Sequence, residues 1–480
     1  MPLTILTDAE VRTLLHGLTK SDILDLQQSL ADALHYYSTA TEEEANGCCS
    51  SFQPLRTALK RNDGQTTLFM PASSNDGLGV KIVTLSDPTA NRPQSKATHD
   101  GDSVSLPSSV DSLFLSTPSP SSTTAFDVPE SRSVTPNPSS HNPNLQTATT
   151  PRGSITLLDK SGAPRAFLNA EEITAFRTAL ASTMLFKKRS NVHDISVFGA
   201  GKQAYWHIRL ALLLRGPEIH HLNIINRSFA NAQKLLEDLY SPKNIGEGER
   251  LARPKFSIIT PGHKEYERHL KATVRGSSVI FCTTPSTQPL FPASYLTNPE
   301  GRKKGRYIAA IGSYKSHMVE IHPDIIRQNV APQHSHHYHK HARQGGAIIV
   351  DSVEACLKEA GEIIQAGIGG REVVEIGELV MLKRDAERRR KEATSSDISL
   401  DSTGVELAKA KKAKHSHKRK EEKDGEEKDE FGGDKNLVEW LQKGNVIYKS
   451  VGLGLMDVVV GNGLVRLADE RGIGTRIADF

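Results

Sequence analysis

The sequence predicts an α/β fold built on a parallel sheet wound by helices. Three observations predict it. Between residues 194 and 360, short apolar strands alternate with helical stretches, the pattern of successive β-α units. One strand-to-helix junction is a glycine-rich turn, Gly199-Ala200-Gly201-Lys202-Gln203-Ala204. Two long segments, 94–151 and 383–435, drop out of both the helix and the strand periodicity.

Taken in order, residues 3–40 read as a helical opening. Asp8 precedes an amphipathic run through Val11, Leu14 and Leu15, and a second helix starts near Ser21. Thr66 to Leu85 reads as β structure: TTLFMPA and LGVKIVTL are short, rich in β-branched residues and bounded by Asn, Asp and Gly. The segment 94–151 is dominated by Ser, Thr and Pro. It lacks the apolar area that would offset its ordering entropy and is expected to be a disordered insertion within a domain. SITLLDKSGAPRAFLNA then reads as a hairpin turning at Lys160-Ser161-Gly162, followed by a helix carrying Thr174, Arg177, Thr178 and Ala181.

DISVFG is a short apolar strand, and residues 203–215 form a helix closed by Gly216. LNII is a strand, a helix runs from Ser228 to Leu239, and FSIIT, SVIFCTT, YIAAIG and AIIVD are further strands. Asp351 is expected to cap the next helix, with Glu354 at capping-box spacing. The Lys/Glu-rich segment 383–435 is read as a second disordered insertion. The chain then closes with a Gly-rich turn and a helix bearing Val458, Val459, Leu464 and Leu467.

Composition narrows the function. A chain of 480 residues exceeds one compact core and suggests two or three domains. A net charge of +4 argues against a polyanion binder, so no nucleic-acid partner is expected. Cys48, Cys49, Cys282 and Cys356 have neither metal-ligand nor secreted-framework spacing. There is no continuous apolar run of about 18 residues and no secretory signature, so no membrane partner is expected and the protein is read as cytoplasmic or nuclear. His334, His336, His337, His339 and His341 offer imidazoles to a transition metal. Without a carboxylate or Cys to frame them they are read as a solvated loop, and no metal is expected. The basic tracts Lys383–Lys391 and Lys409–Lys420 adjoin the acidic run Glu421–Glu430, which offsets their charge.

The turn at Gly199 carries the chemistry. It follows a strand and opens a helix, the context in which G-x-G-x-x-[GA] binds a dinucleotide. Gly199 permits the tight turn, Gly201 lets the backbone approach a pyrophosphate, and Ala204 keeps helix and strand close. The N–H groups at the helix start, near Lys202 and Gln203, would face the phosphates with the helix dipole behind them. NAD-specific versions end the second strand with an acid that holds the ribose 2′-hydroxyl. Here that strand ends in Ile225-Asn226-Arg227-Ser228. Arg227 suits a 2′-phosphate, with Asn226 and Ser228 as hydrogen-bond donors, which favours NADP over NAD. Thr283 and Thr284 fall at the carboxyl end of a later strand, where ligands sit in such sheets.

Beyond this turn, VFGAGKQAYWHIRLAL, the Asn-Arg-Ser turn, AAIGSYKSHMVEIHPDII, IIVDSVEACLKEAGEI and KSVGLGLMDVV resemble, in this order, the ornithine cyclodeaminase/mu-crystallin family. The resemblance runs from about residue 3 to the C-terminus, outside the two insertions. It implies a mixed α/β domain for substrate binding and dimerisation over 1–185, interrupted by 94–151 and completed by 447–480. It implies an NAD(P)-binding Rossmann domain over 190–446, interrupted by 383–435. The family's chemistry is hydride exchange between a nicotinamide and an α-amino or α-imino carboxylate, and a homodimer is implied.

By the same resemblance, Arg56, Lys81 and Arg177 match the family's carboxylate-binding cations, and Lys81 stands beside the reacting nitrogen. The chemistry of these side chains agrees. A guanidinium fork suits a carboxylate, and a lysine beside two arginines would have a depressed pKa and donate a proton to an imine. Ornithine cyclodeaminases carry an Asp shortly after the glycine equivalent to Gly312. Here Ser313, Tyr314 and Lys315 follow, with no acid before Glu320. Ser313 and Tyr314 are candidate ligand contacts. The pattern is closer to mu-crystallin, which points to an NADP-dependent reductase of a cyclic imino acid or ketimine, or an α-amino acid dehydrogenase by reversal. A cyclodeaminase turning ornithine into proline, and a non-enzymatic NADP-dependent binding protein, stand as alternatives.

Overall fold

A computed structural model describes residues 2–39, 53–54, 56–62, 65–86, 151–244, 251–330, 347–379, 432–478 and 480. The histidine-rich segment, both basic tracts, Cys48, Cys49 and almost all of both expected insertions lie outside the described residues.

The chain opens with a strand, β1 (Leu3–Leu6), which corrects the expectation of helix from residue 3. β1 is short, and what makes it a strand is its neighbours, not local periodicity: it pairs with β6 (Pro164–Asn169) on one side and with β15 (Thr475–Ile477) on the other. α1 (Asp8–His16) follows, with Thr7 and Glu10 in a reciprocal capping box and Val11, Leu14 and Leu15 buried. α2 (Lys20–Thr39) packs behind it. β2 (Thr57–Lys60), β3 (Gln65–Ser74), β4 (Gly77–Ser86) and β5 (Arg152–Leu158) pair antiparallel in sequence order, and β5 returns through the expected hairpin into β6. These strands form one seven-stranded sheet in the order β15-β1-β6-β5-β4-β3-β2.

α3 (Glu171–Phe186) is buried along nearly its whole length, from Ile173 to Phe186. A helix that is apolar all round belongs inside a protein. Here it is shared between the first sheet and the second, and the main hydrophobic core runs without a break from Leu30 and Leu157 through Phe176 to Val197 and Phe281.

The second sheet is the parallel one that the alternation predicted. β7 (Asp194–Phe198), α4 (Lys202–Arg215), β8 (His221–Ile225), α5 (Phe229–Leu239) and β9 (Lys255–Ile259) form successive β-α units. α6 (Tyr266–Gly276), β10 (Val279–Cys282), the single turn α7 (Ser294–Thr297), β11 (Tyr307–Ala310) and α8 (Pro323–Val330) continue it. β12 (Ile348–Val350), α9 (Val353–Glu359), α10 (Gly361–Ala366), β13 (Val373–Glu375), α11 (Gly432–Lys443) and β14 (Val446–Lys449) complete it. The eight strands run β13-β12-β14-β11-β10-β7-β8-β9, all parallel. Strand order reverses between β7 and β10, where ligands bind in such sheets.

α4 ends at Arg215 with Gly216 as its C-cap, as expected, and the chain continues at a φ of −50° into a short 3-10 turn. Two local readings are corrected. The cap of α9 is Ser352, whose side chain accepts from Ala355 N, and Asp351 is used elsewhere. VIYK, placed at the start of the segment expected to return at 447, is strand β14 of the second sheet, and the chain crosses back only after it. The final helix, α12 (Gly454–Arg471), buries Leu455, Val458, Val459 and Leu464 against the first sheet and α2.

Candidate active site

The turn between β7 and α4 has the conformation its glycines suggest. Gly199 holds φ at 110°, a backbone region that L side chains rarely enter. A Cβ there would stand 2.8 Å from Thr283 Oγ1. Gly201 caps α4 in extended conformation with no side-chain cap, and nothing lies within 4 Å of where its Cβ would be. The first N–H groups of α4 are therefore open to an anion. Gln203 adds a buried side-chain Oε1 without a hydrogen-bond partner. An open backbone cradle beside an unsatisfied acceptor fits a ligand that carries both a pyrophosphate and ribose hydroxyls. Ala204 is fully buried at the helix–strand contact, and Ala200 is half-buried. Lys202 contributes differently from a free cation: its Nζ pairs with Glu171 at 3.0 Å and Glu172 at 2.9 Å.

At the end of β8, Asn226 Nδ2 donates to Ser228 O at 2.8 Å, and Ser228 Oγ accepts from Asn231 N at 3.2 Å to cap α5. Both side chains thus shape the turn. Arg227 between them is exposed, and no acid occupies the strand end. Thr283 lies across the β7 end, its Oγ1 donating to Phe198 O at 2.7 Å. Thr284 donates its backbone N–H to Glu320 Oε1 at 2.7 Å.

The expected cations are brought together from three distant stretches. Lys81, in the middle of β4, is 2% exposed. Its Nζ donates to Asp457 Oδ1 at 2.9 Å. Arg177 of α3 donates its Nε to the same oxygen at 3.2 Å. Asp457 lies in the first turn of α12 and is fully buried. Its other oxygen, Oδ2, has no hydrogen-bond partner. Burial draws the Lys81 ammonium down to about 8; Asp457 opposes that, and Arg177 and Arg56 add to it. Arg56 stands just ahead of β2 and donates its Nε to Glu359 Oε1 at 2.8 Å, at the end of α9. The two sheets' elements thus meet across this pair.

The loop from β14 to α12 closes over the cluster. Gly452 has φ 90°, and a Cβ there would come within 2.8 Å of Arg177 Nη2. Asp351 fixes the loop, accepting from Gly452 N and Ser450 Oγ at 2.7 Å each and from Val451 N at 3.3 Å.

Ser313 is corrected as a ligand contact. It is fully buried, and its Oγ donates to Glu362 at 2.6 Å while receiving Lys449 Nζ at 2.5 Å. Lys449 and Glu362 pair at 3.1 Å, both 1% exposed. This charge pair needs the serine as a third partner, because two buried ions are tolerated only when their remaining hydrogen-bonding positions are filled. Tyr314 is half-buried beside it. The first acid after Gly312, Glu320, is fully buried and accepts from the backbone of Thr284, Gly312 and Ser313. Burial pushes its carboxyl up to about 7. It ties the ends of β10 and β11 together, where a Cβ on Gly312 would collide with Thr284 O.

A cleft of about 390 Å³ opens beside the glycine turn, lined by Ala200, Gly201 and Lys202 together with Arg12, His16 and Lys234. Lys81, Arg56 and Arg177 do not line it. Asp457, Glu359, Glu362 and Lys449 were not singled out from the sequence, and Asp351 only as a helix cap. Asp457 did carry a signal: a lone acid among Met456, Val458, Val459 and Val460, an apolar run in which a carboxylate requires a partner.

No family model matches the chain. An uncharacterized protein of Saccharomyces cerevisiae is 29% identical over 417 residues, covering 83% of this chain and 91% of the relative. The ketimine reductase mu-crystallin of Macropus fuliginosus is 25% identical over 250 residues, covering 51% of this chain and 64% of that protein, a little under two thirds of its length. Among solved structures, the Δ1-pyrroline-2-carboxylate reductase of Thermococcus litoralis, in complex with NADH and L-proline, superposes with a TM-score of 0.56 at 18% identity over 98% of this chain and 99% of that one. An archaeal alanine dehydrogenase dimer with bound NAD gives 0.57 at 17% over the full length of both. At these identities the structures establish the shared fold. Fold, curated relatives and ordered motifs together make the chain similar to the ornithine cyclodeaminase/mu-crystallin family of enzymes.

Proposed function

We propose that this enzyme uses NADP(H) to reduce a cyclic imino acid or ketimine at its α-carbon, and to oxidise the matching α-amino acid in reverse. One observation carries the reading: a buried lysine and a buried arginine share a single carboxylate oxygen, with a second arginine close enough to add to the lowering of the lysine's pKa. Lys81, Arg177 and Asp457 together hold one net positive charge out of water, which calls for a bound anion. A substrate carboxylate supplies it.

In this reading Gly199, Ala200, Gly201, Lys202 and Gln203 hold the pyrophosphate and ribose through backbone N–H groups and the free Gln203 oxygen. Arg227 holds the 2′-phosphate, with Asn226 and Ser228 keeping its turn in shape. Thr283 and Thr284 form the wall near the reacting end. The bound nicotinamide supplies the hydride. Arg177 and Arg56 orient the carboxylate, Arg56 exchanging Glu359 for the substrate. Lys81 Nζ gives a proton to the nitrogen as the C=N π pair becomes a nitrogen lone pair. Sealing the cluster from water strengthens each of these interactions. Residues 1–185 with the final segment act as the substrate-binding unit and as the dimer contact.

The ornithine cyclodeaminase alternative is disfavoured by the place after Gly312. Ser313 is committed to Glu362 and Lys449, and no free acid stands there to handle a substrate amine. Loss of NADPH absorbance on adding 1-pyrroline-2-carboxylate or 1-piperideine-2-carboxylate tests the proposal. No turnover across a broad imino-acid panel refutes it, and proline formed from ornithine without cofactor consumption would establish the cyclodeaminase instead.

A further inference from the structure

We infer that Asp457 is a specificity-determining residue that contacts the substrate directly, its free oxygen accepting an N–H of the amine that forms at the α-carbon. The inference rests on the imino-acid reading above and goes further, to how nitrogen substrates are told from their oxygen analogues.

The observations are geometric. Asp457 is fully buried. Its Oδ1 is saturated by Lys81 Nζ at 2.9 Å and Arg177 Nε at 3.2 Å. Its Oδ2 is buried and has no hydrogen-bond partner. A buried carboxylate oxygen left without a donor is costly, of the order of a lost hydrogen bond to a charged group. A group serving only to fix Lys81 and Arg177 would have both oxygens used or one turned to solvent. The unused acceptor therefore marks a position that a ligand donor fills.

The chemistry of the reaction names that donor. The cyclic imine reacts as its iminium, which already carries one N–H taken up from solvent. Hydride addition turns the C=N π pair into a nitrogen lone pair, that lone pair takes the proton of Lys81, and the nitrogen becomes a secondary ammonium with two N–H bonds. The hydrogen delivered by Lys81 points back to Lys81. The other needs an acceptor, and Oδ2 belongs to the same carboxyl group that holds Lys81. An ionised carboxylate only accepts. It attracts the forming ammonium and repels the lone pairs of an ether or carbonyl oxygen in the same place, so 2-oxo acids and cyclic ether acids of equal size are rejected.

The test uses binding rather than turnover. The full-length protein loaded with NADP+ is titrated calorimetrically with L-proline and with its oxygen analogue (S)-tetrahydrofuran-2-carboxylate. L-pipecolate and tetrahydropyran-2-carboxylate form a second pair of larger ring size. We expect wild-type protein to prefer the nitrogen member by about ten- to a hundredfold, the range of a charge-assisted hydrogen bond. Asp457→Asn keeps the shape and should erase that preference while cofactor affinity stays unchanged. If Asp457 acted only by positioning, the substitution would weaken both members of a pair by the same factor, and that result overturns the inference. An effect relayed through Lys81 has the opposite sign: losing the negative charge lowers the lysine's pKa and makes it a better acceptor for the amine. Equal affinity of wild type for both members also overturns the inference, leaving the imino-acid reading intact. Failure of all four ligands to bind cofactor-loaded protein takes both readings down together.

Discussion

Lys81 Nζ and Asp457 Oδ1 lie 2.9 Å apart although 376 positions separate them in the chain. Neither is accessible to solvent in any useful degree. The pair brings a strand near the start of the first sheet to the helix that closes the fold. Its charge state, and what surrounds it, sets the following expectations.

Lys81 is drawn down to about 8 by burial. As a proton donor it must be charged, so kcat/KM for imine reduction should be level below that pH and fall about tenfold per unit above it. Amino-acid oxidation needs the neutral amine and should rise over the same range. A pH profile in both directions checks the sign. Lys81→Met should lower kcat by about a hundred- to ten-thousandfold, the usual contribution of a positioned acid or base.

Arg227 is exposed at the end of β8 with no acid beside it. Arg227→Ala should cost NADPH about 1.5–3 kcal/mol of affinity, the value of a hydrogen bond to a charged group, and leave NADH nearly unchanged. Calorimetry with the two cofactors measures the difference. Equal losses would show that this guanidinium does not read the phosphate.

Gly199 combines a φ of 110° with a Cβ position 2.8 Å from Thr283 Oγ1. Gly199→Ala should destabilise the fold by about 1–3 kcal/mol through backbone strain and disturb the turn at once. The denaturation midpoint and the dinucleotide affinity should fall together. Gly201→Ala, where space is open, should spare stability and weaken only the ligand.

Asp351 accepts from Ser450, Val451 and Gly452 at the crossing between the two sheets. Asp351→Ala strands these donors in a dry interior, at about 1–3 kcal/mol for each group left unpaired. A drop in the urea midpoint, with faster amide exchange at Gly452, is the expected result. Asp351→Asn, which keeps one acceptor oxygen, should lose less.

The parallel sheet and its glycine turn were legible because both are local. Strand, glycine, helix start and the missing acid after Ile225 sit within one β-α-β stretch. Lys81, Arg56 and Arg177 were legible only through resemblance, since a single cation in a strand or helix carries no periodic signal. The carboxylates that answer them were not legible. Asp457 meets Lys81, and Glu359 meets Arg56, across hundreds of positions, and which helix start lands on which strand is decided by packing. Asp351 misled for the same reason. Its spacing to Glu354 satisfies a capping rule, yet Ser352 caps α9 and the acid turns inward to a loop nearly a hundred residues away. β1 and β14 were missed because each is four residues long and takes its identity from partners remote in sequence.

The pairing of β1 with β15 joins Leu3 to Ile477. A ribosome therefore delivers the first strand of this sheet well before the last, together with every surface that α12 will cover. During translation the second sheet's early β-α units can assemble in turn, while the first sheet keeps an open edge and Lys81 lacks its counter-ion. The Lys81–Asp457 cluster comes into being as a late event of synthesis, and a nascent chain stalled before residue 454 holds the glycine turn without it.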